Sequence, residues 1–118
     1  MEEAASIEDI RRVPCHRDFG PHNWLVECAT LSVIDWEHAR PDAAVTDLER
    51  ATELMGPDPR RAFFEGYGAD LTLLESPLFR AQVAMAALAR IAWAVPKANR
   101  AFEESGRARL AAALAAST

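Results

Sequence analysis

The 118-residue sequence contains a single lysine, Lys97, only five glycines and no G-x-x-x-x-G-K-[ST] motif or other glycine-rich phosphate loop. A self-contained nucleotide cradle of the P-loop type is therefore excluded. Only two cysteines, Cys15 and Cys28, occur, too few for a disulfide framework. The first residues, Met-Glu-Glu-Ala-Ala-Ser, are acidic where a secretory signal would be basic and then apolar. These features together lead us to expect a reducing, cytoplasmic setting. The most apolar stretch, Ala81 to Val95, is broken by Gln82 and Arg90 and stopped by Pro96. It falls short of the roughly 20 apolar residues that span a bilayer, so no membrane partner is expected. A net charge of -5 supplies no basic field for nucleic acid, and an anionic substrate would need a metal.

What remains is the composition of a globular protein, half hydrophobic and about a quarter charged, read as one domain over residues 1–118. Ser6, Asp9, Ile10 and Val13 outline a short capped helix stopped by Pro14. Trp24 to Cys28 and Leu31 to Asp35 read as two strands of a hairpin. After Pro41, Val45, Leu48, Ala51, Thr52 and Met55 follow helical spacing until Gly56-Pro57-Asp58-Pro59, and a second short helix is expected over Arg60 to Tyr67. Ser76 and Pro77 suit the cap and first turn of a long helix running to Pro96. The Ala-rich remainder, Lys97 to Ala116, reads as a last helix that Gly106 could interrupt. Phe63, Phe64, Ile91 and Trp93 are assigned to the core.

The chemistry concentrates in Cys15-His-Arg-Asp-Phe-Gly-Pro-His-Asn23 and, after the hairpin, Val33-Ile-Asp-Trp36. The first residue of one antiparallel strand and the last of the next share the open end of a hairpin, which brings Asn23 and Asp35 together. Register decides the face they use. A two-residue loop at Ala29-Thr30 would set Trp24 opposite Asp35, whereas a three-residue loop, Cys28 to Thr30, would set Asn23 opposite Asp35. We favour the longer loop, because Ala-Thr lacks the Gly or Asn of a two-residue hairpin turn. A carboxylate and an amide oxygen suit Mg2+ completed by water and phosphate oxygens, not zinc. Asp18 is then free to act as a base, the division of roles found in phosphoryl transfer.

His16-Arg-Asp18 with Asn23, followed by Ile34-Asp-Trp36, resembles the catalytic and metal-binding segments of the aminoglycoside phosphotransferase and choline kinase group, which is similar to protein kinases. The resemblance implies Asp18 as catalytic base, Asn23 and Asp35 as Mg2+ ligands, and His16 with Arg17 as residues that shape the loop. It further implies that Asp47 supports the loop from behind, and that the helices around Phe63-Phe-Glu-Gly-Tyr67 form the substrate-side region. Glu37 and Asp42, with Glu49 and Glu53, are candidates for an acidic wall facing a cationic substrate. The group usually has Gly where Arg17 stands and Gly-Asp-Pro where this sequence reads Arg40-Pro-Asp42.

The implied fold is α+β and mostly helical, a β-hairpin with its catalytic loop packed on a bundle of about four or five helices, as in the C-terminal lobe of such kinases. The implied reaction moves the ATP γ-phosphate to a hydroxyl of a small aminosugar-like or amino-alcohol molecule, with Mg2+ and ATP as cofactors. The group's N-terminal nucleotide lobe finds no counterpart in the sequence. The expectation is thus a truncated chain with little activity alone, completed by an N-lobe partner chain or present as a homo-oligomer. A non-catalytic domain acting through binding is the alternative. Taken singly, His16 reads as a structural hydrogen-bonder, His22 and His38 as exposed residues and Cys15 as a small buried hydrophobe.

Overall fold

The computed structural model describes residues 11–53 and 55–116. Arg12–Cys15 forms strand β1, and Arg40–Ala43 forms β4, paired with it antiparallel in the register Arg12↔Ala43 to Cys15↔Arg40. The ladder sets Pro14 opposite Pro41, two residues without an N–H, so this pair occupies a site where neither strand needs a donor. The sheet corrects the sequence reading, since Val13 and Pro14 belong to a strand and not to the end of a helix. Ser6, Asp9 and Ile10 lie outside the described residues.

Between β1 and β4 runs a second two-stranded sheet, β2 (Trp24–Glu27) and β3 (Thr30–Val33). Its register, Trp24↔Val33 to Glu27↔Thr30, matches neither loop weighed above. The turn is Cys28-Ala29, with Cys28 itself taking the left-handed conformation at φ 55° that a glycine would normally supply. Asn23 consequently pairs with Ile34, whose N–H donates to the Asn23 carbonyl at 2.9 Å, and not with Asp35. The Trp24 side packs inward, its ring 5.0 Å from Phe19 and stacked on Phe63 at 6.1 Å between centroids.

Helix α1 spans Val45–Thr52 and buries Val45, Leu48, Ala51 and Thr52 along one face. Helix α2 spans Pro57–Tyr67, three residues earlier than Arg60 because Pro57 opens it with a φ already suited to the first turn. It ends at Gly68, whose φ of 87° lets its N–H reach the Phe64 carbonyl at 2.9 Å. Phe64 is fully buried, Phe63 partly so.

Helix α3 spans Pro77–Ala94, capped by the Ser76 hydroxyl oxygen accepting from the Phe79 N–H at 3.2 Å. Helix α4 spans Arg100–Ala116 and lies along α3. Gly106 does not interrupt α4. It is a point of close approach, where an added Cβ would come within 2.9 Å of Ile91 Cγ1 and 3.1 Å of the Ala87 carbonyl oxygen. Trp93, assigned above to the core, is half exposed, its ring covered on one side by the Lys97 ammonium at 4.4 Å. The described residues thus form an α+β fold of two small antiparallel sheets and four α-helices. The chain divides into two compact units at Leu71/Thr72: β1 to α2 in the first, α3 and α4 in the second. No described helix is long and apolar enough to cross a membrane.

Candidate functional site

All the singled-out polar residues fall in the first unit, on the segment between β1 and β4, on β4 itself (Asp42) and along α1 to its C-cap Glu53. The segment leaves β1 at Cys15, buried with its thiol against the Asp42 and Ala43 carbonyls at 3.5 Å. Burial, with Asp47 and Asp42 nearby, pushes that thiol above its ordinary value, which keeps it protonated and unreactive.

The next two residues are held from behind by Asp47, in the first turn of α1. One carboxylate oxygen accepts from the His16 N–H and the other from the Arg17 N–H, each at 2.8 Å. Charged acceptors on backbone donors are among the stronger protein hydrogen bonds. The His16 ring, 2% exposed, bridges the segment: Nδ1 accepts from the Asp18 N–H at 3.1 Å, and Nε2 donates to the Ile34 carbonyl at 2.7 Å. With one nitrogen accepting and the other donating, the ring is the neutral Nε2–H tautomer. It acts as a strut linking the start of the loop to the end of β3. Arg17 sits at φ 74° and places Nε 3.3 Å from Asp42.

Asp18 is the centre of the arrangement. Its Oδ1 accepts from Arg50 Nε at 3.0 Å and from His22 Nε2 at 3.2 Å, while Oδ2 accepts from Asn23 Nδ2 at 3.2 Å. Burial alone would raise this carboxyl. The hydrogen bonds from His22 and Arg50 and the Arg50 charge outweigh it, and the group lies below the ordinary carboxylate value. Arg50 in turn loses some hydration on burial, yet is held above its usual value by Asp18 and Glu53, the latter 3.1 Å from Nη1.

Asn23 is buried, and its Nδ2 also donates to the Asp18 carbonyl at 2.9 Å. Those bonds orient the amide and leave Oδ1 as its acceptor face. Asp35 follows Ile34 at φ 64°, so the chain leaves the sheet here and strand alternation no longer dictates where its carboxylate lies. That carboxylate is exposed, adjacent in sequence to the Ile34 that pairs with Asn23. An amide oxygen and a carboxylate at the open end of one hairpin are both hard donors. Mg2+ takes oxygens of this kind, with water and phosphate completing its shell; among the described residues no group of three or more His, Cys, Asp or Glu side chains is gathered to hold a metal ion. Trp36 packs its ring 4.7 Å from that of His16.

Among the acidic-wall candidates, Glu37 is exposed beside His38 at 3.3 Å, Asp42 pairs with Arg17, Glu53 pairs with Arg50 and Glu49 is buried. Asp42 and Glu53 are thus each engaged by an arginine of the same unit. Sequence reasoning missed two partners of Asp18, Arg50 and His22. The signal for Arg50 was its place three residues after Asp47, which puts both on one side of a helix.

The family model of APH, the phosphotransferase enzyme family, matches residues 2–83. No curated protein and no solved structure gives a significant match.

Proposed function

The chain belongs to the APH phosphotransferase enzyme family, and from that premise we propose that residues 16–36 form the base-and-metal half of a phosphotransferase centre. The reaction read from it is transfer of the ATP γ-phosphate to a hydroxyl of a small amino-alcohol or aminosugar-like molecule. The observation that carries the proposal is the Asp18–Asn23 couple. The Asn23 amide nitrogen is bonded to both the carbonyl and the carboxylate of Asp18, which turns the amide oxygen toward a ligand and sets the base beside it.

In this reading Asp18 accepts the proton of the attacking hydroxyl. Asn23 Oδ1 and the Asp35 carboxylate would hold Mg2+, which when bound neutralises charge on the phosphate oxygens. Asp47 and His16 fix the loop backbone, so that base and ligands are positioned before substrate arrives. The finer parts of the reading resemble the C-terminal lobe of kinase-like enzymes. Residues to clamp the nucleotide phosphates, a glycine loop and a strand lysine, are not among these 118. In this proposal a nucleotide lobe borne on another polypeptide segment supplies them. The two unpaired cysteines fit a reducing, cytoplasmic compartment.

Calorimetric titration with Mg2+ and ATP, beside an Asp35→Ala variant, tests the reading. Metal-dependent binding that the variant loses is the expected result; no binding in either protein, or binding indifferent to metal, overturns it. A second reading, a non-catalytic binding domain, draws on the engagement of Asp18 by Arg50, His22 and Asn23. It predicts that binding occurs while Asp18→Asn leaves any phosphate transfer, measured with a nucleotide lobe supplied, unchanged.

A further inference from the structure

Helix α3 carries apolar side chains on two faces, and α4 covers only one. Phe79, Ala87 and Ala94 are buried, and the Gly106 approach lies along that side. The other face holds Leu78, Ala81, Met85, Leu88, Ala92 and Val95, all exposed, with Met85 at 65% the most open. Their spacing alternates three and four without a break, which is the seam of a left-handed helix pair and not the broader stripe of a core helix. A soluble protein seldom leaves such a row uncovered.

The order of side chains along this row suits a second copy of the chain. Read from either end it runs large, small, large, large, small, large. Laid antiparallel on itself about a two-fold axis between Met85 and Leu88, it sets Leu78 against Val95, Ala81 against Ala92 and Met85 against Leu88. That is the self-complementarity an isologous dimer requires. Charge agrees. The only charged residues of α3 are Arg80 and Arg90, both on the α4 side: Arg90 donates to Ser105 at 2.8 Å, and Arg80 shares a small cavity with Ala112 and Ala113. The residues flanking the seam, Gln82, Ala84, Ala89 and Ile91, are uncharged, so two copies meet there without repulsion and a charged partner finds nothing to pair with. The helix is about 27 Å long, and closing this seam would bury roughly 1,000 Å2 over both copies, near the threshold of a specific interface.

We propose that α3 is a dimerisation helix that pairs antiparallel with α3 of a second copy, independently of the phosphotransfer reading. The association is weak and concentration-dependent. Sedimentation of the full chain across about a hundredfold range of concentration, with Met85→Glu and Leu88→Lys variants, tests it. The expected result is a monomer–dimer equilibrium in the wild type, weakened at least about tenfold in each variant alone. An equimolar mixture should regain the dimer, because the two-fold register sets the carboxylate introduced at position 85 of one copy against the ammonium introduced at position 88 of the other. That recovery also shows both variants to be folded. A wild type monomeric throughout, or variants that dimerise as well as wild type, overturns the proposal. So does a mixture that stays monomeric while both variants keep wild-type helical content by circular dichroism.

Discussion

Arg17 occupies a left-handed backbone position, φ 74°, which costs a non-glycine residue about 1 kcal/mol or more. This gives a physical reason for the glycine that the resembled group usually has there. The side chain returns a little through its ion pair with Asp42, about one-third exposed on both sides and therefore worth under about 1 kcal/mol. Arg17→Gly should leave the melting temperature nearly unchanged or slightly raised. Arg17→Val, with a branched Cβ at positive φ, should destabilise by about 2 kcal/mol, measured by denaturant titration. Family and loop were legible at this scale because His16, Arg17, Asp18 and Asn23 lie within eight consecutive positions. The Arg50–Asp18 bond, which joins positions 32 apart, was legible only indirectly, through the three-residue spacing of Arg50 from Asp47 on one helix. Cys15 and Cys28 differ in the same concrete way: one buried, one exposed. An alkylating reagent should modify one thiol in the native protein and two after denaturation, counted by mass spectrometry.

The first helix of the second unit was readable because its start carries its own chemistry, Ser76 capping and Pro77 opening it; the last was expected from Lys97 but starts at Arg100, where Asn99 Oδ1 accepts from the Phe102 N–H at 3.1 Å. The strands were less so. β1 and β4 are four residues each with a proline in both, so their pairing depends on a tertiary contact and not on a local pattern. The hairpin was legible as an element, but its register was not, because Cys28 accepts a left-handed φ that sequence preference assigns to Gly or Asn. Gly106 teaches the complementary lesson. Sequence marks it as a weak point of a helix, whereas the structure makes it the residue that lets α3 and α4 close. Gly106→Leu, a better helix former, should nevertheless destabilise by about 1–3 kcal/mol through overpacking against Ile91 and the Ala87 carbonyl. Thermal melts would measure it.

For the molecule as a whole, the titration of Asp18 sets a pH dependence. Its carboxyl lies below the ordinary value of 3.8 in the folded state. A depressed folded pKa contributes stability that is complete above the unfolded value and is lost as pH falls through the folded one. The melting-temperature gap between wild type and Asp18→Asn should therefore be constant at neutral pH and shrink below about pH 4. With the side chain one-third exposed, the gap corresponds to about 1 kcal/mol or less. A gap that widened in acid would contradict the sign.

The pairing of β1 with β4 gives the first unit one more property. Asp18, Asn23 and Asp35 all lie on the excursion between Cys15 and Arg40, residues that the ladder holds opposite each other. Asp47 and Arg50 reach in from outside that excursion to grip it, and Asp42, at its edge, meets Arg17. In evolutionary terms residues 16–39 are a cassette with a stitched neck. Such a segment can be grafted onto a host without rerouting the rest of the chain, provided the host offers one carboxylate and one guanidinium on its next helix and an aromatic face, as Phe63 does, for Phe19 and Trp24.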